Sequence, residues 1–165
     1  MIKKIKHIGV AVDDLQTARD FFQETFDLTT SDQENFGELL FSFIPMEGTN
    51  LELLQSTVAD GQIAKFIQKR GQGVHHVALE VDDIQSELDR LKAKGLKLIN
   101  ETPYRNAHQD LVAFIHPKST FGVLFELIQI SQHLKQRCLY RSSLAPLVFY
   151  HMRPLLQLSQ FFQSC

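Results

Sequence analysis

A largely apolar run, Lys6 to Val12, carries β-branched side chains and suits a buried strand. The period then changes. Leu15, Ala18, Phe21, Phe22 and Phe26 fall on one face of a helix, Asp13 stands where an N-cap is needed, and Gln16 three residues on completes a capping box. Three short strands are predicted next, near Leu28–Ser31, Leu39–Ile44 and Leu51–Leu54. An amphipathic helix follows from Gln62 to Lys69, with Ile63, Phe66 and Ile67 on one side. After it the order recurs. A strand around His76 leads to a helix capped by Asp82 with Gln85 as partner; it buries Ile84, Leu88 and Leu91 and stops at Gly95. Strands are then predicted near Leu96–Ile99, Leu111–Ile115 and Val123–Ile128.

The recurrence extends to residue identities. His7-Ile-Gly-Val-Ala-Val-Asp-Asp-Leu-Gln16 matches His76-Val-Ala-Leu-Glu-Val-Asp-Asp-Ile-Gln85, and Glu52-Leu-Leu-Gln55 matches Glu126-Leu-Ile-Gln129. The separation grows from 69 residues at Val12 and Val81 to 72 at Pro45 and Pro117 and 74 at Glu52 and Glu126. The second copy is therefore longer in two places, one of them the loop Pro117-Lys-Ser-Thr-Phe-Gly122. One copy cannot bury both faces of a small sheet. The predicted fold is α+β: two βαβββ modules, about 5–56 and 74–130, paired into a curved mixed sheet around a cleft, all in one domain, 1–130.

Composition narrows the setting. A length of 165 residues fits one domain, and a net charge of −2 offers no field for nucleic acid. No run reaches the roughly 18 apolar residues of a membrane span. The opening Met1-Ile-Lys-Lys-Ile-Lys6 lacks the apolar stretch of a signal peptide, and the first repeat leaves no room for a transit peptide. Two cysteines, Cys138 and Cys165, make no disulfide framework, so a reducing, cytoplasmic location is expected. All 19 acidic residues lie at or before Glu126, whereas Lys135, Arg137, Arg141 and Arg153 follow it. That shift marks 131–165 as a basic C-terminal extension, interrupted by Pro146 and Pro154, to which no role is assigned.

The duplication puts polar residues where apolar ones are expected. His7 and His76 lie within strands that are otherwise largely apolar, as do Glu52 and Glu126. A carboxylate facing a core must be paired or metal-bound. Two imidazoles and two carboxylates suit a divalent ion with open positions: Co²⁺, Mn²⁺, Ni²⁺, Fe²⁺ or Zn²⁺. The absence of cysteine ligands argues against structural zinc. His75 is expected on the opposite strand face from His76, at the surface or behind the ligands.

With this ligand order, the paired modules resemble the vicinal-oxygen-chelate superfamily, which includes glyoxalase I, and within it the methylmalonyl-CoA epimerase family. The likeness covers about Ile5 to Ile130. It is carried by His7-Ile-Gly-Val-Ala-Val12, by Ile63-Ala-Lys-Phe-Ile-Gln-Lys-Arg-Gly-Gln-Gly-Val-His-His76 and by Phe114-Ile-His-Pro-Lys-Ser-Thr-Phe-Gly-Val-Leu-Phe-Glu126. It implies His7, Glu52, His76 and Glu126 as metal ligands, Co²⁺ as the first choice of ion, an acyl-CoA substrate and a homodimer. The reaction it implies is epimerisation of (R)- and (S)-methylmalonyl-CoA through an enolate. Some epimerases have Gln where this chain has Glu52. For the acid–base pair the resemblance implies a carboxylate on the strand before that of Glu52. Glu38 is the nearest acid, and its other reading is a solvated turn residue. Glu126 is the second candidate, by loosening from the metal. Lys118 and Ser119 are candidates to bind the substrate carboxylate or a CoA phosphate, or else cap a turn. Two other functions fit the scaffold: a lactoylglutathione lyase (glyoxalase I) activity, and non-enzymatic binding of a small molecule.

Overall fold

The computed structural model describes residues 1–131, so the C-terminal extension lies, beyond Ser131, outside the described residues. The first module contains β1 (Ile2–Ala11), α1 (Leu15–Phe26), β2 (Glu34–Phe36), β3 (Leu39–Met46) and β4 (Thr49–Ser56). Helix α2 (Gln62–Arg70) leads to the second: β5 (Gly73–Val81), α3 (Ile84–Ala93), β6 (Tyr104–Arg105), β7 (Leu111–Ile115) and β8 (Phe125–Gln129). The eight strands form one mixed sheet, curled into a half-barrel, in the order β2-β3-β4-β1-β5-β8-β7-β6. The seam is β1 against β5, antiparallel, and each of these runs parallel to the last strand of its own module.

Helices α1 and α3 cover the outer face. Leu15 of α1 packs with Val12, Ile44 and Leu53, and Ile84, Leu88 and Leu91 of α3 pack with Val81, Ala113, Ile115 and Leu127. Strand alternation sends Glu52 and Glu126 to the other face from Leu53 and Leu127. On that concave face Ala11, Phe41 and Leu54 are closed over by Ile63 of α2.

Helices α1 and α3 each start one residue later than predicted. Asp14 and Asp83 are the N-caps, accepting bonds from Thr17 N (2.7 Å) and Ser86 N (3.0 Å). Asp13 instead donates its N–H to the Gln72 side chain, and Asp82 pairs with Lys3. The capping boxes do not form, because Gln16 and Gln85 reach forward to Asp20 and Asp89. Gly95 does end α3, with φ +80° and the Leu96 N–H returning to Leu91 O. Phe21 and Phe26 do not join the buried face of α1; they are 53% and 57% exposed, and Phe21 packs edge-on with both Phe22 and Phe26.

The edge strands also differ from prediction. Leu28–Ser31 is not a strand, and Leu96–Ile99 contributes only a bridge from Leu98 to Ile115. The cause is the same in both modules. Ser31 Oγ takes the Phe43 N–H at 2.9 Å, and Asn100 Oδ1 takes the Phe114 N–H at 3.0 Å. A side-chain acceptor replaces the backbone one and breaks the ladder. Pairing resumes further along the same edge, at Glu34–Phe36 and Tyr104–Arg105.

Candidate metal centre

The seam register builds the centre. His7 pairs with Ala78 and Gly9 with His76, so the two histidines stand diagonally across β1 and β5 on the concave face. Gly9 is also beside Glu52, and Ala78 beside Glu126, so the outer strands deliver each carboxylate at the same level. The two modules therefore place their ligands by one rule applied twice.

All four predicted ligands come together. His7 Nε2 and His76 Nε2 are 3.0 Å apart. Glu126 Oε2 lies 3.3 Å from the first and 3.0 Å from the second, and Glu52 Oε2 lies 3.4 and 3.6 Å from them. His7, His76 and Glu126 are buried. Donors about 2.1 Å from a common centre at right angles stand about 3.0 Å apart, so this spacing accommodates a first-row divalent ion. The charge fits too, since a buried and a half-buried carboxylate beside two imidazoles suit a cation.

Titration follows from burial against pairing. Burial favours neutral His7, yet the Glu126 hydrogen bond and the charges of Glu52 and Glu126 outweigh it and raise the imidazole above its ordinary value. Burial also works to raise Glu126, but hydrogen bonds from His7 and His76 prevail and bring it down to about 2. For Glu52 burial wins over the two histidines and the carboxyl is raised.

His75 is not sent to the opposite face. The register skips it, pairing Gly9 with His76 and then Val10 with Val74, so His75 is the extra residue of a bulge. Its Nδ1 lies 3.0 Å from His76 Nδ1, and its ring packs edge-on against Phe66 of α2. Burial, then the charge of His76, lowers its pKa to about 4 and keeps it neutral. A neutral His75 can accept the His76 Nδ1 proton and leave Nε2 for a metal.

The repeated glutamines also gain a role that sequence reasoning left unassigned. Gln55 Oε1 accepts the Leu15 N–H and Gln129 Oε1 the Ile84 N–H, both at 2.8 Å. Each ligand strand is thereby tied to the open first turn of its module's helix. The duplicated Glu-Leu-x-Gln spacing was the available signal.

The other candidates do not reach the cluster. Glu38 lies at the turn before β3, and its carboxylate accepts the Gln62 N–H at 3.2 Å, at the start of α2. Lys118 is exposed on the short 3-10 helix Pro117–Ser119, where Ser119 Oγ accepts the Lys97 N–H at 2.8 Å. A different acid faces the cleft. Glu34 pairs with Phe41 on β3, and its Oε2 lies 2.9 Å from His108 Nε2. The His108 ring rests on Phe41 and Phe43, and Phe43 in turn meets the His7 ring. Neither residue belongs to the repeat, so sequence reasoning had no pattern by which to find them.

Residues 6–114 match the model of the Glyoxalase/Bleomycin resistance protein/Dioxygenase superfamily, and the chain belongs to that family. Within it the chain is methylmalonyl-CoA epimerase-like, and its named relatives are isomerases. It is 36% identical over 129 residues to "Methylmalonyl-CoA epimerase, mitochondrial" of Dictyostelium discoideum, covering 76% of this chain and 78% of that one. It is 34% identical over 135 residues to the "Ethylmalonyl-CoA/methylmalonyl-CoA epimerase" of Cereibacter sphaeroides, covering 79% of this chain and all of that one. A solved methylmalonyl-CoA epimerase in complex with methylmalonyl-CoA and NH4+ superimposes with a TM-score of 0.75 at 27% identity, over 79% of this chain and 96% of that one. No helix among the described residues is long and apolar enough to cross a membrane.

Proposed function

We propose that the protein interconverts (R)- and (S)-methylmalonyl-CoA by moving the proton on the carbon between the thioester and the carboxylate. The observation that carries the reading is the buried pair of histidines and pair of glutamates, with Glu34 on the same concave face. Relatives bearing epimerase names at 34% and 36% identity support it.

Glu34, rather than Glu38, is the proposed base. The substrate C–H bond breaks, an O–H bond forms on the Glu34 carboxyl, and the electron pair moves into the thioester carbonyl as an enolate. A water molecule gives a proton to the opposite face, completing the inversion, and the hydroxide so formed takes the proton back from the Glu34 carboxyl, restoring both. A divalent cation held by His7, Glu52, His76 and Glu126, with Co²⁺ the first choice, would supply the Lewis acid that steadies the charge on the thioester oxygen. We assign Glu126 to ligation and not to proton transfer, because its Oε2 stands 3.3 and 3.0 Å from the two imidazole Nε2 atoms, the spacing of donors around one ion. Lys118 and Ser119 remain assigned to the substrate carboxylate or a CoA phosphate. A cytoplasmic setting, from the two-cysteine composition, and a homodimer complete the proposal.

The test is α-deuterium exchange from each epimer in D₂O, with and without Co²⁺, beside an assay on the glutathione hemithioacetal of methylglyoxal. Exchange that depends on metal is expected. No exchange with metal present overturns the epimerase reading, and turnover of the hemithioacetal in its place selects the lyase.

A further inference from the structure

We propose that His108 is a positioning residue: the second module reaches across the cleft to hold the first module's Glu34 in the geometry for proton removal. The inference rests on the reading of Glu34 as the base.

The contact joins residues 74 apart in sequence, with His108 Nε2 to Glu34 Oε2 at 2.9 Å and side chains 39% and 43% exposed. An exposed pair of this kind contributes little to stability on its own. The loop that presents it is nevertheless closely built. Asn106 Oδ1 accepts the N–H groups of both His108 and Asp110 at 3.0 Å. Asn106 N–H donates to Asp110 O, Gln109 takes a left-handed φ of 64°, and Arg105 donates to Gln109 O. The neighbouring Ala107 packs against the cluster of Ala11, Phe41 and Leu54 from the first module and Ile63 of α2. His108 is thus fixed from below by Phe41 and Phe43 and from behind by its own loop.

A glutamate side chain is free to adopt many rotamers, and proton removal needs it in one. Engaging Oε2 leaves the other carboxylate oxygen to take the proton. The role belongs to one face of the substrate, because Glu34 serves one face. That distinguishes positioning from general structural support.

The experiment measures α-deuterium exchange from (2R)- and (2S)-methylmalonyl-CoA separately, in the Co²⁺-loaded full chain, for the parent, E34Q, H108A and H108Q. E34Q is expected to slow exchange from one epimer by about 100-fold or more. H108A should slow exchange from that same epimer by about 10–100-fold through kcat, with KM within about threefold and the other epimer within about threefold. H108Q keeps a donor and should recover to within about fivefold of the parent. Equal slowing of both epimers by H108A, or slowing of neither while E34Q slows one, overturns the positioning role and leaves the base assignment standing. No effect of E34Q overturns both. Co²⁺ affinity serves as the control for folding, and if H108A fails it, H108F, which keeps the ring and removes the donor, makes the same comparison.

Discussion

The two modules bring matching histidine and glutamate pairs to the cleft and differ in the residues that surround them. In each, a histidine on the first strand and a glutamate on the last face the cleft, and a glutamine three residues beyond the glutamate ties that strand to the helix. Around these shared parts the modules diverge. The seam position beside His76 is Gly9, whereas the one beside His7 is Ala78. The edge strand of the first module carries Glu34, and the equivalent register on β6 carries Tyr104. The second module alone has the His108 loop and the 3-10 helix of Lys118. Duplication supplies a symmetric set of four polar side chains, but a reaction that treats two substrate faces differently needs the unshared residues.

The largest effect should come from breaking the better-bonded glutamate. Glu126 approaches both imidazoles more closely than Glu52 does, and its carboxylate is the one held low. Glu126→Ala is expected to abolish Co²⁺ binding and turnover, and Glu126→Gln to cost about 100-fold in Co²⁺ affinity. Glu52→Gln should cost about tenfold, within the range for perturbing a ligand environment. Calorimetric titration with Co²⁺ checks the order, and equal losses for the two Gln variants would remove the asymmetry.

Next in size is the seam. A Cβ at Gly9 would overlap the His76 ring. Gly9→Ala should therefore displace that ligand and lower Co²⁺ affinity at least about tenfold, whereas Ala78→Gly should leave it within about threefold. Similar values for the two would mean that the seam is more pliable than its packing indicates.

Glu38→Gln should change turnover less than threefold, since its carboxylate bonds the start of α2 and the proposed base is Glu34. A loss of about 100-fold would return the base to Glu38.

The smallest effect compares the helix caps. Thr17 side-chain and backbone hydrogen bonds lower the Asp14 pKa, and Ser86 backbone and side-chain bonds lower that of Asp83. A folded pKa below the unfolded value of about 3.8 means that the stabilisation is present above that pH and is lost as pH falls through the folded value. Melts of the parent and of the Asp14→Ala, Asp83→Ala double variant should differ at about pH 6 and converge towards about pH 3. A difference independent of pH would show that the charged cap is not the cause.

Much of the fold was legible because each element had its own period. β7 at Leu111–Ile115 and the start of α2 at Gln62 appear where expected, since apolar alternation and helical spacing there face no competing polar partner. The edge strands were misplaced because Ser31 and Asn100 intercept ladder hydrogen bonds, and a polar residue in a loop does not announce which N–H it will take. Capping missed by one residue in both copies for a related reason. In a pair of adjacent aspartates, the choice depends on what the first one meets: Gln72 in one module and Lys3 in the other.

By itself the sequence determined the duplicated module and the four side chains that meet in its cleft. A repeat of residue types at a matched register, on strands whose side chains alternate, leaves few ways to satisfy buried histidine and glutamate except together. Only the tertiary structure decided what stands around them. His75 meets His76 because the seam carries a bulge, and Glu34 meets His108 because a loop of one module crosses to the other. Neither contact is set by local spacing. Both depend on how two distant segments are brought into register, and that is settled by packing of the whole sheet.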